Sequence, residues 1–279
     1  MIIGFGDVYM TDDLISIVMA TYNDDVAYLK ESLESIMCQT YSNWELIIVD
    51  DSTKEDTIGF LKAFSLKCEK IIYLHNQEKL GFVRSLNYGL KQARGKYIAR
   101  MDSDDISLPD RLLSEKEFLD THTDIDIVGA DILIIDESGI VTGERHYDYN
   151  YNAILDSRYF RNPLAHPVVM YRADVIKQIG GYDENFQMAE DYELWLRAIR
   201  LGLKVENIPI CLLKYRIPSD YYARRSKENW HYNILAKKKN KDNTLRYYMG
   251  LMVSVALYSM PSSIIRLLYE VDRKSKAGG

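Results

Sequence analysis

The feature that most constrains this chain is an alternation near its start. Short, continuous apolar runs, LISIVMA (14–20), WELIIVDD (44–51), KIIYLHN (70–76) and KYIARMDSDD (96–105), are separated by longer amphipathic stretches. Runs without polar alternation are strands buried on both faces, and strand–helix–strand units of this kind build a mainly parallel sheet covered by helices. After the first run, Asp24 or Asp25 caps a helix with Val26, Leu29, Leu33, Ile36 and Met37 on one face. Ile58, Leu61, Phe64 and Leu66 follow at helical spacing. Gly81 opens a third helix, Gly95 stands where its glycine cap belongs, and Pro109 starts a fourth. The expected fold class is α/β.

Beyond residue 125 the pattern loosens. DIVGADILIID (126–136), with the turn Asp136-Glu137-Ser138-Gly139, reads as a strand entering a hairpin. PVVMYR (167–172) reads as a strand, Glu190 to Leu201 as a helix stopped by Gly202, and KVENI and CLLKYRI as two short strands. The expected organisation is an extension over 1–13, an α/β domain over 14–218 and a helical tail over 219–279. Between Lys214 and Arg246 that tail region has ten Lys/Arg against three acids, although the chain has a net charge of −6. YYMGLMVSVALYSM (247–260) is apolar nearly all round and stops at Pro261; IIRLLYEV (264–271) follows. As a helix the apolar run spans about 21 Å, short of the roughly 30 Å of a bilayer core. It therefore reads as a helix lying on a membrane surface, packing on the domain or forming a homodimer interface.

The acidic balance argues against a nucleic-acid partner. Cys38, Cys68 and Cys211 are odd in number and widely spaced, which predicts free thiols in a reducing cytoplasm. The first thirteen residues lack a basic n-region and a cleavage site, so no secretory signal is expected. No GxGxxG, GxxxxGK[ST] or GxSxG occurs at the positions where a dinucleotide fold, a P-loop or a hydrolase elbow needs one.

In open parallel sheets ligands bind beyond the carboxyl ends of the strands. There the first run delivers Thr21, Tyr22 and Asn23, the second Asp50 and Asp51, and the fourth Asp102, Asp104 and Asp105. Carboxylates so gathered repel one another unless a positive charge sits among them, and a hard divalent cation, Mg²⁺ or Mn²⁺, suits oxygen ligands. The plainer reading makes these acids helix caps and turn formers. A second acidic group, Glu190-Asp191, opens the helix AEDYELWLR (189–197), where the helix terminus favours the ionised form a general base needs.

Taken together, SIVMATYND (16–24), QTYSNWELIIVDDST (39–53), GKYIARMDSDDISLPDRL (95–112) and AEDYELWLR (189–197) resemble a family 2 glycosyltransferase with the GT-A fold, over residues 14 to 218. The resemblance implies an inverting, metal-dependent transferase of the hexosyl type that uses a nucleotide-diphospho-sugar, by default a UDP-sugar. It places Thr21, Tyr22, Asp51, Arg84, Asp102 and Asp104 at the donor, with Asp51 on the base. It places Asp104 and Asp105 at the metal, Asp191 as catalytic base, and Glu190 and His166 at a saccharide or lipid-linked acceptor. The sequence departs from the family at Arg84-Ser85-Leu86-Asn87, where Arg and Asn are separated. It also lacks a His after the last core strand, leaving Arg216 or Arg224 as candidate cations for the diphosphate. The implied role is cell-surface polysaccharide or oligosaccharide synthesis in the cytoplasm, or at the inner membrane face. The competing readings are a sugar-phosphate nucleotidyltransferase and a catalytically silent sugar-nucleotide binder. The first would want a Gly-rich basic loop where TYNDD stands.

Overall fold

The structure is a computed structural model that describes residues 11–217 and 227–260. The expected boundary at 218–219, Arg224 and the stretch 264–271 lie outside the described residues. The early alternation forms β1 (Thr11–Thr21), α1 (Val26–Met37), β2 (Trp44–Asp50), α2 (Glu55–Ser65), β3 (Ile71–His75), α3 (Phe82–Gln92) and β4 (Gly95–Met101). After it come β5 (Ile106–Ser107), α4 (Arg111–Thr121), β6 (Ile127–Ile135), β7 (Val141–Arg145), α5 (Tyr151–Ser157) and a 3-10 turn, His166–Val168. The rest is β8 (Met170–Arg172), α6 (Ala173–Ile179), α7 (Glu190–Arg200), β9 (Val205–Arg216), α8 (Lys227–Lys239) and α9 (Leu245–Ser259).

The strands join one sheet in the order β3-β2-β1-β4-β8-β6-β9-β5, with β7 on β6. β1 pairs in parallel with both β2 and β4, while β8 runs antiparallel to β4 and β6. Alternation along the strands divides two cores. Ile15, Ile17 and Met19 face α1, α2 and α4 through Leu33, Leu61 and Leu119. Val18, Ala20 and Ile98 face α3 and α7 through Leu86, Leu194 and Trp195. A third, smaller cluster of Tyr159, Phe186, Tyr192, Leu196, Ala236 and Tyr247 fastens α8 and α9 to α7.

Several local expectations are corrected. β1 begins at Thr11, so three residues of the expected extension are strand, with an irregularity where Asp13 takes φ 66°. KVENI and CLLKYRI form one strand, β9, with register shifts against β6 around Asp131. PVVMYR is only half strand: Pro167 and Val168 close the 3-10 turn, and Met170–Arg172 pair. Gly95 is not a helix cap but the first residue of β4. Its N–H donates to Ser16 Oγ at 2.8 Å, and Ser16 in turn donates to the buried Glu45, which also holds Arg94. The residue is small because β1 passes against it: a Cβ there would lie 2.6 Å from Leu14 O and 2.7 Å from Ser16 N. Gly95→Ala should destabilise the fold by about 2 kcal/mol or more, since backbone rather than a flexible side chain must move. Urea unfolding of the two proteins measures this, and equal midpoints would refute it.

Candidate active site

The chain leaves β1 toward β2 on one side and returns to β4 on the other, so the crevice opens beyond the ends of β1, β2 and β4. The loops there are stitched together. Asn23, at φ 56°, accepts from Thr53 N and Lys54 N at 2.8 and 2.9 Å, and its own N–H donates to Ser52 Oγ. Asp25 caps α1, which frees Asp24 for the site. Asp24 Oδ2 accepts from Thr21 Oγ1 at 2.7 Å and Ser103 Oγ at 2.6 Å, tying the end of β1 to the acidic loop after β4. Tyr22 is exposed, with Lys79 Nζ 3.6 Å above its ring.

Asp51 is more occupied than expected of a residue on the base. Its carboxylate accepts from Asn76 Nδ2, Leu80 N, Gly81 N and Ser85 Oγ, between 2.7 and 3.2 Å. Four donors use the lone pairs a carboxylate offers. In this arrangement Asp51 holds the loop that carries Lys79 and anchors the start of α3.

Asp102, Asp104 and Asp105 present carboxylate oxygens within 4.8 Å of one another. Burial, and then Asp102 and Asp24, push Asp104 up to about 7. Burial, and then Asp102 and Asp104, raise Asp105 well above the usual carboxylate range. Asp105 is fully buried; its Oδ1 accepts from Arg216 N at 2.8 Å, and its Oδ2 has no hydrogen-bond partner. A buried, unpaired carboxylate oxygen beside two more acids is the donor set that a hard divalent cation satisfies.

Two arginines set this geometry. Arg100, on β4 and 2% exposed, pairs with Asp102 and lies 5.6 Å from the Phe82 ring. Its Nε and Nη1 are buried without a partner. Arg216, at the end of β9, donates to Asp104 O, Asp136 O, Glu137 O and Glu31. Expected as a free cation for the diphosphate, Arg216 is instead the strap that fixes the acidic loop, because β5 pairs with β9 beside it. Arg84 lies at the surface, where its Nε donates to Glu184 at 3.0 Å.

The second acidic group faces the same crevice. Ala189 precedes α7 at φ 56°, a costly conformation for a residue with a Cβ, and sets the direction of Glu190 and Asp191. Asp191 Oδ2 accepts from Asn162 Nδ2 at 2.5 Å and Oδ1 from Tyr192 N at 2.7 Å. Burial raises Asp191, and burial followed by the charge of Asp191 pushes Glu190 up to about 8; Arg100 opposes both shifts. His166 is buried rather than open to an acceptor: its Nε2 lies 2.7 Å from Tyr182 Oη. Burial, and then Arg100, hold His166 well below its ordinary range. Its 3.9 Å approach to Glu190 is therefore not an ion pair.

Arg100, Asp24, Asn162 and Lys79 escaped the sequence reading. Only Arg100 left a signal: a lone arginine inside an apolar strand run, two residues before Asp102 and so on the same face.

The model of the family Glycosyl transferase family 2 matches residues 16–180. The chain belongs to that family. A glycosyltransferase of Methanocaldococcus jannaschii is 34% identical over 96% of this chain and 97% of its own. An O-antigen biosynthesis glycosyltransferase of Escherichia coli is 39% identical over 74% of this chain and 80% of its own. The mannosyltransferase of Pyrobaculum calidifontis, solved in complex with GDP-Man and Mn²⁺, shares the fold: TM-score 0.67 at 16% identity, over 97% of this chain and 78% of that one. The protein is a GT-A glycosyltransferase, which sets aside the nucleotidyltransferase reading.

Glu190 gives a stability test. A carboxyl whose folded pKa is about 8 against an ordinary 4.5 favours the fold fully below pH 4.5 and loses that contribution as pH rises toward 8. Glu190→Gln, which cannot ionise, should therefore melt higher than the parent at alkaline pH, by a stabilisation on the order of a few kcal/mol, and converge with it in acid. Thermal unfolding of the metal-free proteins across pH checks this. A parent and variant that differ equally at both ends would refute it.

Proposed function

We propose that this glycosyltransferase moves a hexosyl group from a nucleotide-diphospho-sugar to an acceptor hydroxyl with inversion, in cell-surface polysaccharide or oligosaccharide synthesis. The observation that carries the reading is the meeting of two acidic groups at one crevice, Asp102/Asp104/Asp105 and Glu190/Asp191, with Arg100 between them. The first group suits the diphosphate side and the second the acceptor side. A UDP-sugar is the default donor, and the GDP-Man held by the Pyrobaculum neighbour is the alternative to test beside it.

Asp104 and Asp105 would hold Mg²⁺ or Mn²⁺, which when bound neutralises the charge of the diphosphate. The unpartnered Asp105 Oδ2 supports this fit. The remaining roles belong to the chain. Thr21 and Tyr22 line the nucleotide side, with Lys79 over Tyr22 and Asp51 holding the loop behind it. Asp191, oriented by Asn162 and the Tyr192 amide, takes the proton of the acceptor hydroxyl. Its raised pKa makes it a stronger base than a solvated carboxylate. The freed oxygen attacks the anomeric carbon as the bond to the diphosphate breaks, from the opposite face, so one base suffices. Glu190 borders the acceptor, with the neutral His166, held by Tyr182, 3.9 Å away. The acceptor is a saccharide or a lipid-linked saccharide, reached in the cytoplasm or at the inner membrane face.

Asp191→Asn should lower turnover by about a thousandfold or more while leaving donor affinity nearly unchanged, because the base acts on the acceptor. Transfer assays with donor titration by calorimetry separate the two quantities. Retained turnover with lost donor affinity would make Asp191 a binding residue and Glu190 the better base. Chelation should abolish transfer, and Asp104→Asn should raise the Mn²⁺ concentration needed for half-maximal rate. Full activity in EDTA would overturn the metal reading.

A further inference from the structure

α9 has an unusual balance of buried and exposed surface. Tyr247, Gly250 and Ser254 form its buried seam, and a Cβ on Gly250 would lie 2.4 Å from Tyr159 O. At 100° per residue, Leu245, Tyr248, Met249, Met252, Val253 and Val255 fall on one arc of about 160° opposite that seam. All six are exposed, from 44% to 74%. So wide an exposed apolar face marks an interaction surface.

We propose that this face of α9 docks the enzyme on an anionic lipid bilayer. The charge carried by this part of the sequence selects that occupant. Residues 219–279 carry twelve Lys/Arg and five Asp/Glu, in a chain whose net charge is −6. Lys241 is exposed beside the face, with its Nζ 5.7 Å from the Tyr248 ring, and Lys238 is exposed on α8, the helix that packs on α9. A second copy meeting this face across a two-fold axis would bring the same positive charge against itself, whereas anionic headgroups complement it. Fifteen residues span about 22 Å, and among the described residues no helix is long and apolar enough to cross a membrane. The helix lies in the interface rather than through it. The surface is also fixed relative to the site. α8 and α9 pack on α7 through Tyr192, Leu196, Ala236 and Tyr247, and α7 begins with Glu190 and Asp191. A bilayer under α9 would therefore hold a lipid-linked acceptor near the base, and this purpose, though not the binding itself, rests on the transferase reading above.

The test is co-sedimentation of the full chain with vesicles of phosphatidylcholine alone or mixed equally with phosphatidylglycerol, at low and high salt. The parent should sediment with the mixed vesicles, less so at high salt, and remain in solution with phosphatidylcholine alone. Met249→Glu with Met252→Glu should weaken sedimentation roughly tenfold at unchanged melting temperature. Lys238→Glu with Lys241→Glu should remove the preference for phosphatidylglycerol. Asp191→Asn should bind vesicles like the parent, so loss of catalysis and loss of docking are read separately. A parent that stays in solution with the mixed vesicles overturns the proposal. So does a dimer by light scattering that the Met249/Met252 variant converts to monomer, which would assign the face to a second copy. A large fall in that variant's melting temperature also overturns it, by assigning the face to the chain's own residues 264–271.

Discussion

Mutual repulsion among carboxylates at one edge of the sheet is the constraint around which this protein is arranged. Asp24, Asp102, Asp104 and Asp105 crowd the end of β4, and Glu190 and Asp191 face them from α7. Left alone, such a set would take up protons or open the fold. Two buried guanidinium groups limit this in different ways. Arg216 spends its donors mostly on backbone carbonyls and so fixes the path of the acidic loop. Arg100 pairs with Asp102 and supplies the positive charge that reaches both acidic groups. Because arginine does not lose its proton in proteins, this counter-charge is present at any pH the enzyme meets.

The compensation is incomplete, and it is incomplete at the residues to which the proposed reaction gives roles. Asp105 keeps an unpaired buried oxygen, Asp104 and Glu190 are pushed toward neutrality, and Ala189 is held in a left-handed conformation. Each costs stability, and the crowded acids are the ones the proposed reaction would bring to a cation and an acceptor. The rest of the chain has to supply the excess. It does so through two well-filled cores, one on each face of the sheet, and through tight contacts such as Gly95 against β1. Strain at the site is thus supported by a scaffold with little slack elsewhere.

Legibility in the sequence followed distance along the chain. The first four strands and their helices could be read because each apolar run carries its own period and its own punctuation. The DSDD and ED acids could be read because they sit where strand ends and helix starts must place them. Gly95 was misread as a cap because the pattern shows only that a small residue is needed, not that β1 passes 2.6 Å from where its Cβ would be. β9 read as two strands because its bulge beside Asp131 breaks the period without ending the pairing.

By itself the sequence determined the α/β class, the sheet edge that carries the chemistry and the acids that gather there. These follow from local periodicity and from the rule that parallel strands end on one side. Only the tertiary structure decided how those acids are held. Arg84, expected at the donor, meets Glu184 at the surface, and Arg216, a candidate cation for the diphosphate, straps Asp104 and Asp105 from 112 and 111 residues away. Arg100 became the central counter-charge because the antiparallel pairing of β8 with β4 and the packing of α7 bury it among groups distant in sequence. A side chain's partners across such separations depend on which elements pack together, and no local pattern encodes that.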